Sequence, residues 1–265
     1  MTSQHLRVER PSDGVALLVL DNPDQRNAMS DEMTASWVAA IDDLAGDPSV
    51  RAVVVTGEGT AFCSGGNTSW IASEPDASVD YLRTRMIAFY RAWLSIRRLE
   101  VPTIAAVNGH AIGAGLCLAL ACDLRYAAES ASFGAVFIKR GVSACDMGTS
   151  YHLPRLVGAS RSAELLLTGR TFDATEARDM GLVLDVVPDG EVVARALVTA
   201  RQIAENGPLA VWMTKETMWQ TVDSPSLRHA LDLENRTQIM CTGTGELAEA
   251  FAAFREGRTP MWGPL

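Results

Sequence analysis

The sequence predicts an α/β protein with a mainly parallel, covered sheet and an all-helical C-terminal region. Short β-branched apolar runs alternate with amphipathic stretches up to about residue 190, which is the pattern of parallel strands joined by crossover helices. Glycine-rich turns follow the strand-like runs, so a strand-glycine-helix unit recurs and would suit a spiral of related turns. Beyond residue 190 only helical signals remain.

Each element follows from its local pattern. Residues 15–20 form an apolar run bounded by Gly14 and the Asp21-Asn22-Pro23 turn, and residues 52–56 form another closed by Gly57; both read as buried strands. Between them Ser30 can cap a helix that carries Asp31 and Glu32 in its first turn and Met33, Trp37, Ile41 and Leu44 on one face. A long helix is expected over 79–99, where Leu82, Met86, Phe89, Trp93 and Ile96 keep a spacing of three or four, and Val101-Pro102 ends it. Residues 103–107 are the third buried strand and run through Asn108-Gly109 into a small-residue helix near Gly113. After Asp123 come a short strand, a loop with Phe133-Gly134, helices starting near Gly148 and Ser160, and a last strand over 182–187. Helices are expected over 192–204, 209–219, 227–240 and 246–254. The division is therefore a core of residues 1–190 and a helical region of residues 191–265, whose apolar stripe needs a surface such as a partner subunit.

Composition narrows the function. The 265 residues, 48% hydrophobic and 21% charged, suit a folded domain with a real core. A net charge of -9 repels phosphate backbones and anionic membrane surfaces, so neither nucleic acid nor membrane is an expected partner. Five cysteines in no paired spacing support neither a disulfide framework nor a zinc site, and a reduced, cytoplasmic setting fits best. Residues 1–13 lack an apolar core of signal-peptide length, and the longest apolar run, 111–122, is too short to span a bilayer.

Two glycine-rich segments follow buried strands: Ala61-Phe62-Cys63-Ser64-Gly65-Gly66-Asn67 and Asn108-Gly109-His110-Ala111-Ile112-Gly113-Ala114-Gly115. Neither has the lysine of a phosphate loop or the spacing of a dinucleotide fold. Small residues at a strand end and a helix start expose backbone N–H groups that a ligand can approach, and the helix dipole at the second segment favours negative charge on a bound oxygen. Together they can form an oxyanion hole. Tight turns and helix packing are the alternative for either segment alone.

Pro102-Thr103-Ile104-Ala105-Ala106-Val107-Asn108-Gly109, Gly113-Ala114-Gly115, Cys122-Asp123 and Phe133-Gly134 resemble the signature of the crotonase (enoyl-CoA hydratase/isomerase) superfamily. Arg26-Asn27-Ala28-Met29 and Thr168-Gly169-Arg170 with Ala174, Ala177 and Gly181-Leu182-Val183 are similar too, and the match runs in order from about residue 12 to 255. The resemblance implies a crotonase-like spiral of β-β-α turns with a C-terminal helical region, assembled as trimers or dimers of trimers. It implies a coenzyme A thioester as substrate, without a further cofactor or metal, in acyl-CoA chemistry of the fatty-acid type. Carried over by position, the oxyanion amides are those of Ser64 and Ala114. Arg26, Asn27, Ala28, Ser64, Gly65, Gly66 and Asn67 flank the CoA chain, with Gly113 and Phe137 at the acyl site; Asn67 stands where an aspartate is more usual. A backbone donor in such a hole typically contributes ~2.7–4 kcal/mol to the transition state.

The side chains around the thioester decide the reaction. Counting from Gly115 and Asp123, the two hydratase glutamates fall at Cys117 and Phe137, which supply no acid/base pair for water. The nearest carboxylate is Asp146, in a loop that resembles those of dienoyl-CoA isomerases and aroyl-CoA dehalogenases; Tyr81 stands where the latter's histidine is sought. Asp146 is the expected proton-transfer group, with capping of the helix near Gly148 as its alternative role. Isomerisation or other thioester chemistry is thus favoured over hydration, the alternative being a homologue that binds acyl-CoA without turnover. Tyr81 and Tyr90 could each donate to a ligand. Trp70, Phe137 and Met86 could shape an apolar acyl site, and Arg26 could meet CoA phosphate. Cys145, His110 and His152 read as a loop thiol, a turn histidine and a helix histidine, and Cys117 and Cys122 as core.

Overall fold

The computed structural model describes residues 4–66 and 76–263. Along the chain run β1 (Leu6–Ser12), β2 (Val15–Leu20), α1 (Asp31–Ala45), β3 (Ala52–Gly57), β4 (Ala61–Cys63), α2 (Val79–Trp93), β5 (Thr103–Val107), β6 (His110–Ile112) and α3 (Ala114–Ala121). They are followed by β7 (Leu124–Ala128), β8 (Ser132–Gly134), α4 (Thr149–Val157), α5 (Ala159–Thr168), β9 (Phe172–Asp173), α6 (Ala174–Asp179) and β10 (Val186–Val187). The chain closes with α7 (Val192–Ala204), α8 (Pro208–Thr221), α9 (Leu227–Thr242) and α10 (Gly245–Glu256).

The strands form two sheets, one in the order β1-β2-β3-β5-β7-β10 and a smaller one in the order β4-β6-β8-β9. In the large sheet β2, β3, β5, β7 and β10 are parallel and β1 is antiparallel. The small sheet is parallel from β4 to β8. Each turn of chain therefore lays one strand in the large sheet and one in the small sheet before crossing over: β3-β4-α2, β5-β6-α3 and β7-β8-α4. This is the spiral of β-β-α turns that the family resemblance implies.

Continuous apolar strands arise because both faces of the large sheet are covered. Ala16, Leu18 and Leu20 of β2 point into the cluster with Trp37, Phe62 and the α3 side chains, whereas Val15, Leu17 and Val19 meet Val192, Ala196 and Ala200 of α7. Full burial of such a side chain is worth about 1.5–3 kcal/mol. Ser30 caps α1, its hydroxyl accepting from Met33 N–H at 3.2 Å, and Trp37 stacks on Trp93 at 4.9 Å between ring centres.

Two expectations change. Helix α7 belongs to the core, because Val192, Ala196 and Ala200 are buried on the large sheet, so the packed unit extends past residue 190. The last strand shrinks to Val186–Val187, because Leu182 N–H and Val183 N–H turn back onto the Ala177 carbonyl at 2.8 and 3.4 Å. Among the described residues, no helix is long and apolar enough to cross a membrane.

Candidate active site

The two glycine-rich segments become strand ends that touch. β4 pairs with β6 in parallel, so the residues after Cys63 lie beside those after Ile112. A Cβ on Gly65 would stand 2.9 Å from the Ile112 carbonyl oxygen and 3.4 Å from Ala114 N, and Gly65 takes φ of 107°, so only glycine suits this approach. Gly113, with φ of 57°, turns the chain from β6 into α3, every residue of which is buried.

The Ala114 N–H opens α3 and donates to no carbonyl or side chain among the described residues, although Ala114 is only 3% exposed. Its neighbours are committed: Gly113 N–H donates to Gly134 O at 2.8 Å, and Cys117 N–H to Gly113 O at 3.1 Å. A buried, unpaired amide at a helix start calls for an anionic or carbonyl ligand.

On the other segment Ser64, whose amide is expected to be free, has a partner for it within the chain. Its N–H donates to Arg26 O at 3.0 Å and its hydroxyl to Gln25 O at 3.3 Å, so that amide is spent inside the protein. Gly65 N–H lies against Cys63 Sγ at 3.4 Å. The next amide, Gly66 N–H, has no partner among the described residues. Arg26 is exposed and left-handed, with φ of 51°, which turns its carbonyl onto Ser64.

Asn27 has partners within the chain as well. It is fully buried, its Oδ1 accepting from Asn22 N–H at 2.9 Å and its Nδ2 donating to Glu58 O and Ala61 O at 2.9 and 2.7 Å. Its side chain braces the turn before α1 against β4. Ala28 is half-buried in the same turn, and Asn67 and Trp70 lie outside the described residues.

Aromatic rings stand over the amide segments. A Cβ on Gly113 would meet the Phe137 ring at 3.6 Å, and one on Gly66 would meet the Phe89 ring at 3.4 Å. Cys117 Sγ sits 3.3 Å from Gly113 O and 3.6 Å from Asp146 O, which joins α3 to the loop before α4. Complete burial and the neighbouring Asp146 push the Cys117 thiol well above its usual range, so it is a neutral packing group.

Asp146 is half-buried, and its carboxyl accepts from the Tyr90 phenol of α2. Burial raises the carboxyl above the ordinary aspartate range, while the hydrogen bonds from Tyr90 and from Met147 N–H pull it down. It does not cap α4, whose start at Gly148 receives no side-chain bond. Thr149 holds the loop instead, its Oγ1 accepting from Asp146 N–H at 3.0 Å and donating to Ala144 O at 2.7 Å. The result is a half-buried carboxyl group held between the Tyr90 phenol and the Cys117 thiol.

The remaining candidates divide cleanly. Tyr81 is exposed and accepts from Arg85 at 3.0 Å, whereas Tyr90 is the phenol that meets Asp146. Tyr90 follows Phe89 on the half-buried face of α2, and an aromatic residue with a polar tip beside that apolar stripe was its signal in the sequence. His110 Nδ1 bonds Ser132 Oγ at 2.7 Å, and His152 is buried, held at about 4 by desolvation and by Arg97, Arg125 and Arg155. The five cysteines are unpaired, and no three His, Cys, Asp or Glu side chains gather for a metal among the described residues.

Comparison with known proteins agrees with this geometry. The family model described as enoyl-CoA hydratase/isomerase matches residues 10–264. A protein of Mycobacterium tuberculosis named "Probable enoyl-CoA hydratase EchA12" is 37% identical over 260 residues, 96% of this chain and 91% of that protein. The crystal structure of an enoyl-CoA hydratase from Bacillus anthracis superposes with a TM-score of 0.91 at 32% identity, covering 98% of this chain and 99% of that one. A monofunctional enoyl-CoA isomerase from M. smegmatis superposes with a TM-score of 0.73 at 37% identity, covering 86% of this chain and 98% of that one. With the fold, the paired glycine segments and the match all coinciding over nearly its whole length, the chain belongs to the enoyl-CoA hydratase/isomerase family and is an acyl-CoA enzyme of hydratase/isomerase type.

Proposed function

We propose that this enzyme moves a proton on a coenzyme A thioester, as in double-bond isomerisation, rather than adding water to an enoyl-CoA. The observation that carries the reading is the chemistry of three positions. Cys117 and Phe137, where the family resemblance puts the hydratase glutamates, offer a neutral thiol and a phenyl ring, while Asp146 offers a half-buried carboxyl beside Cys117. The thioester oxygen is received by Gly66 N–H and Ala114 N–H, at the positive end of α3.

Asp146 removes a proton from C2 of a 3-enoyl thioester, and the electron pair spreads to the thioester oxygen between the two amides. The same carboxylic acid then returns the proton at C4, which leaves the double bond conjugated between C2 and C3. No water is consumed, so one carboxyl suffices where hydration needs an acid and a base. The crystal structure described as an isomerase supports the same direction. The exposed Arg26, whose carbonyl meets Ser64 N–H, is the cation we assign to CoA phosphate.

The test sets 3-hexenoyl-CoA against crotonyl-CoA. The reading expects conjugation of the first, little hydration of the second, and a loss of about 10²–10⁴ in rate for Asp146→Asn. Hydration of crotonyl-CoA at a rate matching or exceeding isomerisation would contradict it, as would an active Asp146→Asn enzyme. Tight binding of both esters with no product would favour the acyl-CoA-binding homologue.

We also propose that α8, α9 and α10 are buried between subunits in a trimer or a dimer of trimers. No α9 residue is buried in the single chain, and Leu227, Ile239 and Phe254 are 75%, 62% and 85% exposed. Apolar surface on this scale marks an interaction face.

A further inference from the structure

We infer that Tyr90 is the positioning residue of this site: its phenol, reaching from α2 to Asp146 Oδ1, fixes the carboxyl group and holds it in the form of a base. This rests on the enolate reading above and adds to it the residue that prepares the carboxylate for its first step.

The main chain of Asp146 is pinned independently of Tyr90. Its N–H donates to Thr149 Oγ1 at 3.0 Å, and its carbonyl accepts from Thr149 N–H at 2.9 Å and lies 3.6 Å from the Cys117 thiol. These bonds fix where the residue sits but not which way its carboxyl points. Among the described residues, the side chain that donates to the carboxyl itself is the Tyr90 phenol. The loop and α2 are far apart in sequence, so the hydrogen bond also ties the wall of the site to the carboxyl.

The charged and titratable surroundings are simple. Tyr90 faces Asp146 from α2 and Cys117 faces it from α3. No lysine, arginine or histidine forms an ion pair with it among the described residues. Cys117 remains a thiol because burial raises it, and burial with the nearby carboxylate raises the Tyr90 phenol as well, so Tyr90 stays a proton donor across the working range. Burial favours the neutral acid form of Asp146, and the phenol opposes it by donating to the carboxylate form. When Asp146 takes the C2 proton, the C–H bond breaks, an O–H bond forms on the carboxyl, and the pair passes to the enolate. A carboxyl already protonated cannot begin this step.

The experiment follows deuterium uptake at C2 of butanoyl-CoA in heavy water by mass spectrometry, from acid to alkaline conditions. It compares the wild type with Tyr90→Phe and Asp146→Asn, beside the Kd for butanoyl-CoA and the melting temperature of each. For Tyr90→Phe the acid limb of the exchange profile should move up by about one pH unit while Kd changes less than about twofold. Site-specific 3-fluorotyrosine at position 90, a stronger donor of nearly the same shape, should move the limb down, and it tests the idea even if Tyr90→Phe folds poorly. A uniform loss of exchange with an unmoved limb in both would make Tyr90 mere packing and overturn the inference alone. No exchange by the wild type at any pH would remove the enolate reading and the inference with it.

Discussion

Asp146 carries a cost that depends on pH. Burial raises its carboxyl in the folded enzyme, so ionising it is harder there than in the unfolded chain. Stability is therefore greatest where the carboxyl is protonated and falls as pH rises through its raised folded value. Asp146→Asn keeps an acceptor for Tyr90 but never ionises. Urea midpoints should show the variant gaining on the wild type from pH 4 to pH 8, and an unchanged gap would mean the carboxyl is not desolvated. The turn at Gly113 into the buried helix was legible from the sequence because a glycine between a strand and a small-residue run keeps its meaning wherever the chain goes. Which amide of residues 64–66 stays unpaired was not legible, because it depends on where the Arg26 carbonyl lands, and that is set by a left-handed residue 38 positions away from Ser64 in the chain. Asn27, which the family resemblance puts beside the CoA chain, has a bracing role that shows only once its buried carbonyl partners are seen.

Contact between β4 and α3 determines how close the two amide segments lie. A Cβ on Gly115 would overlap the Cys63 carbonyl group, with no flexible side chain there to yield. Gly115→Ala should push the segments apart, cost about 1–3 kcal/mol of stability, and lower kcat more than it raises KM. Thermal denaturation with steady-state kinetics on 3-hexenoyl-CoA checks both effects, and a variant of wild-type stability and rate would show that the approach is not needed. The large sheet was readable because β2, β3 and β5 are buried on both faces and so are continuously apolar. The small sheet was not, since β4, β6 and β8 have three residues each and sit inside glycine-rich segments without a period of their own. β1 escaped notice because it is an edge strand, buried at Leu6 and exposed over most of its length, with Pro11 near its end.

As a whole the molecule is a spiral core finished by helices that a single chain leaves uncovered. Helix α7 was assigned to the tail because its pattern is helical like its successors', yet it covers the outer face of the large sheet; pattern shows which stripe is apolar but not what it meets. Leu227, Leu231, Ile239 and Met240 of α9 and Leu247, Phe251 and Phe254 of α10 are exposed in the single chain. Light scattering should give the mass of three or six chains, and Phe254→Asp combined with Leu227→Asp should lower it. A monomeric wild type would remove the assembly.

In the proposed mechanism Gly66 N–H and Ala114 N–H together receive a thioester oxygen within reach of Asp146. The most direct measurement is a crystal structure of the enzyme with butanoyl-CoA bound. The thioester oxygen should lie about 2.7–3.1 Å from both nitrogens, with C2 against the Asp146 carboxyl. A thioester oxygen bound elsewhere, or held by Ser64 N–H released from Arg26, would contradict it.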